Sequence, residues 1–138
     1  MLQGIGAISL IAIAVVALLN GFIDFSSGAS RVEHELVSPS GRYRAIHALT
    51  STGAVGYCYQ FIVLVPASHP VEVPSYSKSK DKAVFAARCD SKVEMGWLSD
   101  THLKVTLDIA SGNEVHRAKL LREDPSSQVQ IQYEVITK

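Results

Sequence analysis

The sequence predicts an all-β fold: a small antiparallel sheet or sandwich of about six to eight strands, preceded by one N-terminal transmembrane helix. The run from Leu2 to Ile23 contains no charged side chain, and about 20 such residues cross the hydrocarbon core of a bilayer as a helix. Beyond this run, short segments rich in β-branched and aromatic residues alternate between apolar and polar positions and are separated by turn residues. This pattern is typical of antiparallel strands.

Length and charge indicate one small domain behind the apolar run. The chain has 138 residues with 13 basic and 13 acidic side chains, so that its formal net charge is zero. Nucleic-acid-binding domains normally carry a basic excess, and this class of partner is therefore not expected. We expect an anchor at residues 1–25, a linker at residues 26–31 and a single β domain at residues 32–138, because chains of this length rarely divide into domains.

The apolar run has three interpretations. An uncleaved anchor is favoured because no Lys or Arg precedes the run and because it is longer than the apolar core of a signal peptide, which is about 7–15 residues. A signal peptide cleaved after Ala29 is the first alternative, since Ser27-Gly28-Ala29 offers small residues at the cleavage spacing. A segment buried inside the soluble fold is the second. We expect a single-pass protein of the bacterial inner (cytoplasmic) membrane with its β domain outside the cytoplasm.

The strand pattern recurs through the rest of the chain. Strands are expected at Val32–Val37, Arg42–Leu49, Tyr57–Val65, Ala83–Ala87, Lys92–Leu98, His102–Ile109 and Val129–Val135. Tyr57–Val65 is apolar on both faces, which favours a central strand. Asn113–Arg122 is either a strand or a helix, and Val71–Val73 is a candidate short edge strand.

Two short motifs carry a family resemblance. The segment from Ser38 to Ala45, SPSGRYRA, resembles the turn and strand of TolB-like β-propeller blades, and Trp97 to Val105, WLSDTHLKV, resembles the stretch that closes such a blade. Ser40 stands where these blades usually have Asp. A propeller needs at least about four blades, which this chain has no room for, so the resemblance implies a single blade-like unit. The same motifs are similar to those of small, single-anchor bacterial envelope proteins of unassigned function.

The two cysteines of the chain, Cys58 and Cys89, are the candidates for a disulfide. Even numbers of cysteines outside the cytoplasm usually pair. Cys58 lies near the start of one expected strand and Cys89 at the end of another, so antiparallel neighbours bring them together. Two buried reduced thiols and a metal or redox site are the alternatives.

No catalytic, cofactor-binding or metal-binding motif is recognised in the sequence. None of the five histidines lies at a metal-ligand spacing from another His or from a Cys. His47 falls on the inward face of its strand and is expected to be a core histidine with satisfied hydrogen bonds. Trp97 is expected in the core as well.

These observations favour a non-catalytic, membrane-tethered domain that binds a protein. Its most concrete version is an immunity protein that neutralises a secreted toxin. Arg44 and Tyr76 are the candidate anchors for the partner, because binding energy concentrates in Arg and aromatic side chains. The alternatives are an accessory subunit of an envelope complex, a small-molecule sensor, and an enzyme with an unrecognised site.

Overall fold

The computed structural model describes residues 30–52, 57–70, 74, 76–109 and 118–137. Eight strands and one helical turn, α1, lie in this part of the chain. The elements are β1 (Ser30–Val37), β2 (Tyr43–Thr52), β3 (Tyr57–Pro66), α1 (Tyr76–Ser79), β4 (Phe85–Arg88), β5 (Lys92–Ser99), β6 (His102–Ile109), β7 (Lys119–Leu120) and β8 (Gln130–Thr137). The all-β prediction is therefore confirmed. The predicted anchor and the candidate strand at Val71–Val73 lie outside the described residues, as does most of Asn113–Arg122.

The strands form two sheets. The larger one has the order β1-β2-β3-β4-β7 and is antiparallel throughout, while the smaller one has the order β5-β6-β8. Within the smaller sheet β5 and β6 form the expected hairpin, but β6 and β8 run parallel. An entirely antiparallel arrangement was therefore the wrong prediction for this pair. The residues between β6 and β8 provide a connection long enough for the crossover that parallel neighbours require.

The two sheets pack face to face around a shared apolar core. The larger sheet contributes Ala45, Ile62, Leu64 and Phe85, and the smaller sheet contributes Val93, Leu103, Val105, Leu107 and Ile131. A second buried cluster, including Ile46, Phe61 and Val63, lies on the opposite face of the larger sheet. Both faces of β3 are consequently buried, which confirms its predicted central position.

Side chains on the smaller sheet connect the two sheets by hydrogen bonds. The Trp97 indole on β5 donates to the Leu36 carbonyl on β1 at 3.1 Å, and the ring is only partly buried against the core. The Tyr133 hydroxyl on β8 lies 2.9 Å from the carbonyls of Val84 and Leu121. Burial raises the pKa of Tyr133, so its hydroxyl stays protonated and donates.

The two motifs that resemble a propeller blade contact each other through their turns. Gly41 takes a φ of 75°, a conformation that side chains with a Cβ rarely adopt, and the Ser38 hydroxyl accepts from the backbone of Tyr43 at 3.1 Å. The Asp100 carboxylate in the β5–β6 turn accepts from the backbone of Ser40. The two motifs thus lie in different sheets with their turns in contact, and their family resemblance stays a prediction.

Two boundaries and one inward position differ from the predictions. β1 begins at Ser30, inside the expected linker. α1 forms at Tyr76–Ser79, in a stretch for which no element was expected. Val135 was expected on the buried face of β8, but its side chain is 41% exposed, because β8 is an edge strand and Val135 lies close to its end.

Candidate functional site

An open cleft lies between the edge strands of the two sheets. β1 is the outer strand of the larger sheet and β5 the outer strand of the smaller one, and both line a cavity of 660 Å³. We call this cavity the edge cleft. Its exposed rim includes Glu33, His34, Lys92 and Glu94, and its buried lining includes His47, Gln60, Ser91 and Val93.

A β-bulge in β1 brings two histidines to the same face. Val32 pairs with Ala48 and His34 pairs with His47, so that Glu33 is the extra residue. Side chains alternate between the faces of a regular strand, so in an unbulged strand of this same sequence His34 would follow Val32 onto the outer face. The bulge instead places the His34 ring against the His47 ring, with centroids 5.8 Å apart and an interplanar angle of 23°. Bulges often re-aim side chains in this way beside functional sites.

His47 and Gln60 form a buried polar network under the rim. The two side chains are 5% and 3% exposed, which places both beyond easy reach of water. Gln60 donates its amide NH₂ to the carbonyls of Arg88 at 2.9 Å and Ser91 at 2.7 Å, and its Oε1 lies 3.0 Å from His47 Nε2. The prediction of a buried His47 is confirmed, but only one of its two ring nitrogens is satisfied. Nδ1 is buried and has no hydrogen-bond partner among the described residues.

The environment of His47 favours the neutral ring. Burial lowers the pKa of His47, and the neighbouring His34 lowers it further, while the hydrogen bond to Gln60 and the charge of Glu33 oppose the shift. Because Gln60 Oε1 can only accept, Nε2 carries the proton. A neutral ring with its proton on Nε2 leaves a bare lone pair on Nδ1.

The carboxylates of the edge cleft are each matched by a cation. The Arg31–Glu33 and Arg44–Glu35 pairs have N–O distances of 2.6 Å, and the Lys92–Glu94 pair has one of 2.8 Å. The cleft therefore carries mixed and locally balanced charge. No group of three His, Cys, Asp or Glu side chains with a metal-holding arrangement occurs in the described part of the chain.

The disulfide supports one wall of the edge cleft. Cys58 and Cys89 are joined, with their Cα atoms 5.4 Å apart, which confirms the predicted pairing. Cys89 itself lines the cleft, and the Gln60 amide bonds to residues on either side of it, Arg88 and Ser91. The covalent link to β3 thereby holds the loop that orients Gln60.

The two predicted partner anchors lie outside the edge cleft and apart from each other. Arg44 pairs with Glu35 and donates to the His69 carbonyl at 3.0 Å. The Tyr76 ring on α1 stacks on Tyr59 with centroids 5.8 Å apart. Both side chains thus make intramolecular contacts, and their role in binding a partner stays a prediction.

Sequence reasoning missed His34, Gln60 and Ser91 as members of one site. The sequence does contain a signal for Gln60, since a glutamine between Tyr59 and Phe61 in an otherwise apolar strand needs buried partners. His34 has no such signal, because its face depends on the bulge.

A serine–histidine contact outside the edge cleft lies at the β5–β6 turn. His102 Nδ1 is 3.2 Å from the Ser99 hydroxyl and 3.0 Å from the Thr101 hydroxyl. All three residues are exposed, so water competes for these bonds. The contacts order the turn and offer no sheltered site for chemistry.

Comparison with known proteins adds no relative. No family model, no curated protein and no solved structure matches the chain. Among the described residues, no helix is both long enough and apolar enough to cross a membrane.

Proposed function

We propose that the chain is a membrane-tethered, non-catalytic protein-binding domain of the bacterial envelope whose binding face is the edge cleft. The single observation that carries the binding face is the opening between β1 and β5. Edge strands present unpaired backbone groups that an extended segment of another protein can use. The proposed partner contributes such a segment.

The contacts of His47 support a binding role over a catalytic one. A nucleophile activated by a histidine lies within hydrogen-bonding distance of that ring. Here the ring bonds to an amide, Gln60, and its other nitrogen has no partner among the described residues. The nearby Ser91 hydroxyl lies 3.3 Å from Gln60 Nε2 and is engaged there.

The extracytoplasmic location rests on two features of the chain. The disulfide between Cys58 and Cys89 is of a kind that persists in oxidising compartments. The uncharged run from Leu2 to Ile23 has the length of a membrane anchor. In its most specific form the proposal makes the partner a secreted toxin and the chain its immunity protein.

Site-specific photocrosslinking in intact cells tests the binding face. A photoreactive amino acid at Glu94, on the rim of the edge cleft, is compared with the same amino acid at Glu134, an exposed glutamate of β8. A third position, Lys78, probes α1 beside Tyr76. We expect one protein, identified by mass spectrometry, to crosslink from Glu94 and not from Glu134. The chain should also stay in the membrane pellet after a carbonate wash, which tests the tether.

The other outcomes contradict specific parts of the proposal. Crosslinking from Lys78 alone would move the binding face to the loop around Tyr76. Equal products from Glu94 and Glu134 would show contact without a defined face. Release by carbonate would remove the tether and leave the binding face untouched.

A small-molecule sensor is the second candidate function. The buried, neutral His47 in a concave cavity of 660 Å³ favours it, because pockets of about 300–1,000 Å³ with perturbed titratable groups are typical ligand sites. A sensor predicts a saturable small ligand in the edge cleft without a protein crosslinked from Glu94.

A further inference from the structure

We infer that the edge cleft takes an aromatic side chain with a single hydrogen-bond donor, a Tyr or Trp of the partner, and that His47 Nδ1 accepts from it. This inference rests on the proposed function, since it names the group that the partner presents. It depends on the hydrogen-bond network, on the apolar walls of the cleft and on its paired charges.

The network determines which atom is available. Gln60 Nε2 lies between two backbone carbonyls, of Arg88 and Ser91, which can only accept. The NH₂ group must therefore face these carbonyls and Oε1 must face His47. A proton on Nε2 follows, and the ring is left with one unused acceptor, Nδ1, on a side chain that is 5% exposed. A buried acceptor without a partner costs free energy that a matching donor recovers.

Part of the edge cleft has apolar walls. Leu36 on β1, Leu49 on β2, and Val93 and Met95 on β5 line the same cleft. A ligand that fills the edge cleft must bury hydrophobic surface and place one hydrogen-bond donor against His47 Nδ1. Tyrosine and tryptophan combine a large apolar ring with one O–H or N–H, whereas aliphatic side chains lack the donor.

Paired charges disfavour a cationic ligand. Lysine also donates, but its ammonium carries three donors and a full charge. Each cleft carboxylate already has its own cation: Arg31 pairs with Glu33, Arg44 with Glu35 and Lys92 with Glu94. An ammonium group beside His47 would therefore lose hydration without gaining an unengaged carboxylate. A neutral donor avoids this cost.

His34 is the group that has to move. Its ring is stacked on His47 and its residue is exposed, on a bulged edge strand. Edge positions of this kind rotate without disturbing a core. An incoming aromatic ring takes over the stacking contact that His34 makes in the free protein.

The test uses 4-methylphenol as the probe and its O-methyl ether, 4-methylanisole, as the matched compound without a donor. The full chain, labelled with ¹⁵N at histidine, is titrated with each, and His47 is assigned from the spectrum of His47→Phe. We expect the phenol to shift the His47 Nδ1 resonance upfield, as an acceptor does on hydrogen bonding. It should also bind roughly two- to tenfold more tightly than the ether, the range expected for one net hydrogen bond.

Variants separate the two histidines. His34→Ala should strengthen binding of the phenol, because the ring that stacks on His47 is removed. His69→Ala, at an exposed histidine outside the cleft, should leave it unchanged. Should His47→Phe not fold, the phenol–ether comparison on the unaltered chain still decides the matter.

Two outcomes overturn the inference. Equal affinity for phenol and ether, with Nδ1 unshifted, shows an apolar site that ignores the acceptor. Failure of both compounds to perturb His47 or His34 shows that the cleft takes no aromatic group. In either case the crosslink from Glu94 remains an independent measurement. The edge cleft can therefore be the binding face even if the partner does not insert an aromatic donor there.

Discussion

At the scale of single residues, the tautomer of His47 depends on how its partner Gln60 is held. The Gln60 amide is committed to two backbone carbonyls, and this commitment, rather than any property of the imidazole, selects the tautomer. The result is a neutral histidine whose Nδ1 has no hydrogen-bond partner among the described residues, and this is the basis of the recognition role that we propose. A core histidine with both nitrogens satisfied would carry no such implication.

Acidification is expected to destabilise the folded chain through His47. Burial, as the main cause, lowers the pKa of His47 below its usual value of 6.5. The stabilisation that the neutral His47 ring contributes is therefore complete above pH 6.5. It is lost as the pH falls from there towards the pKa of His47 in the folded state, because His47 in the unfolded chain takes up its proton first. Urea denaturation at a series of pH values measures this loss.

Substitution isolates the contribution of His47. His47→Gln should flatten the pH dependence, while His69→Gln, at an exposed position, should leave it as in the parent. The charged and titratable groups of the adjoining edge strands that line the cleft are Glu33, His34 and Glu35 on β1, and Lys92 and Glu94 on β5. An unchanged slope in His47→Gln would assign the acid sensitivity to these groups instead.

At the scale of elements, the bulge in β1 sets the composition of the site. Pairing is regular on both sides of Glu33, with Val32 opposite Ala48 and His34 opposite His47. Compared with a regular strand of the same sequence, the extra residue moves Ser30 to Val32 to the opposite faces of the sheet. Their partners on β2 remain consecutive residues. The bulge allows Val32 and His34, two positions apart in the sequence, to face opposite sides of the sheet.

Deletion of Glu33 should be tolerated. The deletion makes β1 regular and leaves Val32 and His34 opposite their present partners, so the expected loss of stability is below about 1 kcal/mol, the range of exposed substitutions. Deletion of Glu35, the matched control, removes the partner of Arg44 and puts Glu33 in place of His34 opposite His47, and it should cost clearly more. Thermal denaturation of both variants checks this, and a larger loss for Glu33 would contradict the assigned bulge.

At the scale of the whole molecule, the sandwich is held at several separate places. The shared core joins the sheets, Trp97 and Tyr133 add a hydrogen-bonded link each, and the disulfide ties β3 to the end of β4. The edge cleft lies between the outer strands β1 and β5 of the two sheets.

Removal of the disulfide is expected to lower the free energy of unfolding by about 3–4 kcal/mol, the chain-entropy value for a loop of this length. Cys58→Ser with Cys89→Ser tests this by denaturation, with the parent under reducing conditions as a comparison. The substitutions should also release the 88–91 loop from Gln60 and change the His47 resonance. Denaturation midpoints equal to the parent's would show that the bridge adds no stability.

Local patterns in the sequence determined most of the strands. Alternation with a period of two residues is a property of each segment alone, so β2, β3, β5, β6 and β8 were placed close to their observed bounds. The pairing of Cys58 with Cys89 was also predicted from the sequence, because the chain has two cysteines and each lies near the end of an expected strand.

Contacts between distant residues decided the rest. The parallel pairing of β6 and β8, the division into two sheets and the bulge at Glu33 each depend on which strands become neighbours, and no local pattern records this. The same holds for the site: His34, His47, Gln60 and Ser91 come from β1, β2, β3 and the loop before β5. Sequence alone identified a buried histidine, whereas the lack of a partner for its Nδ1 in the described part of the chain, and with it the proposed chemistry of recognition, results from packing.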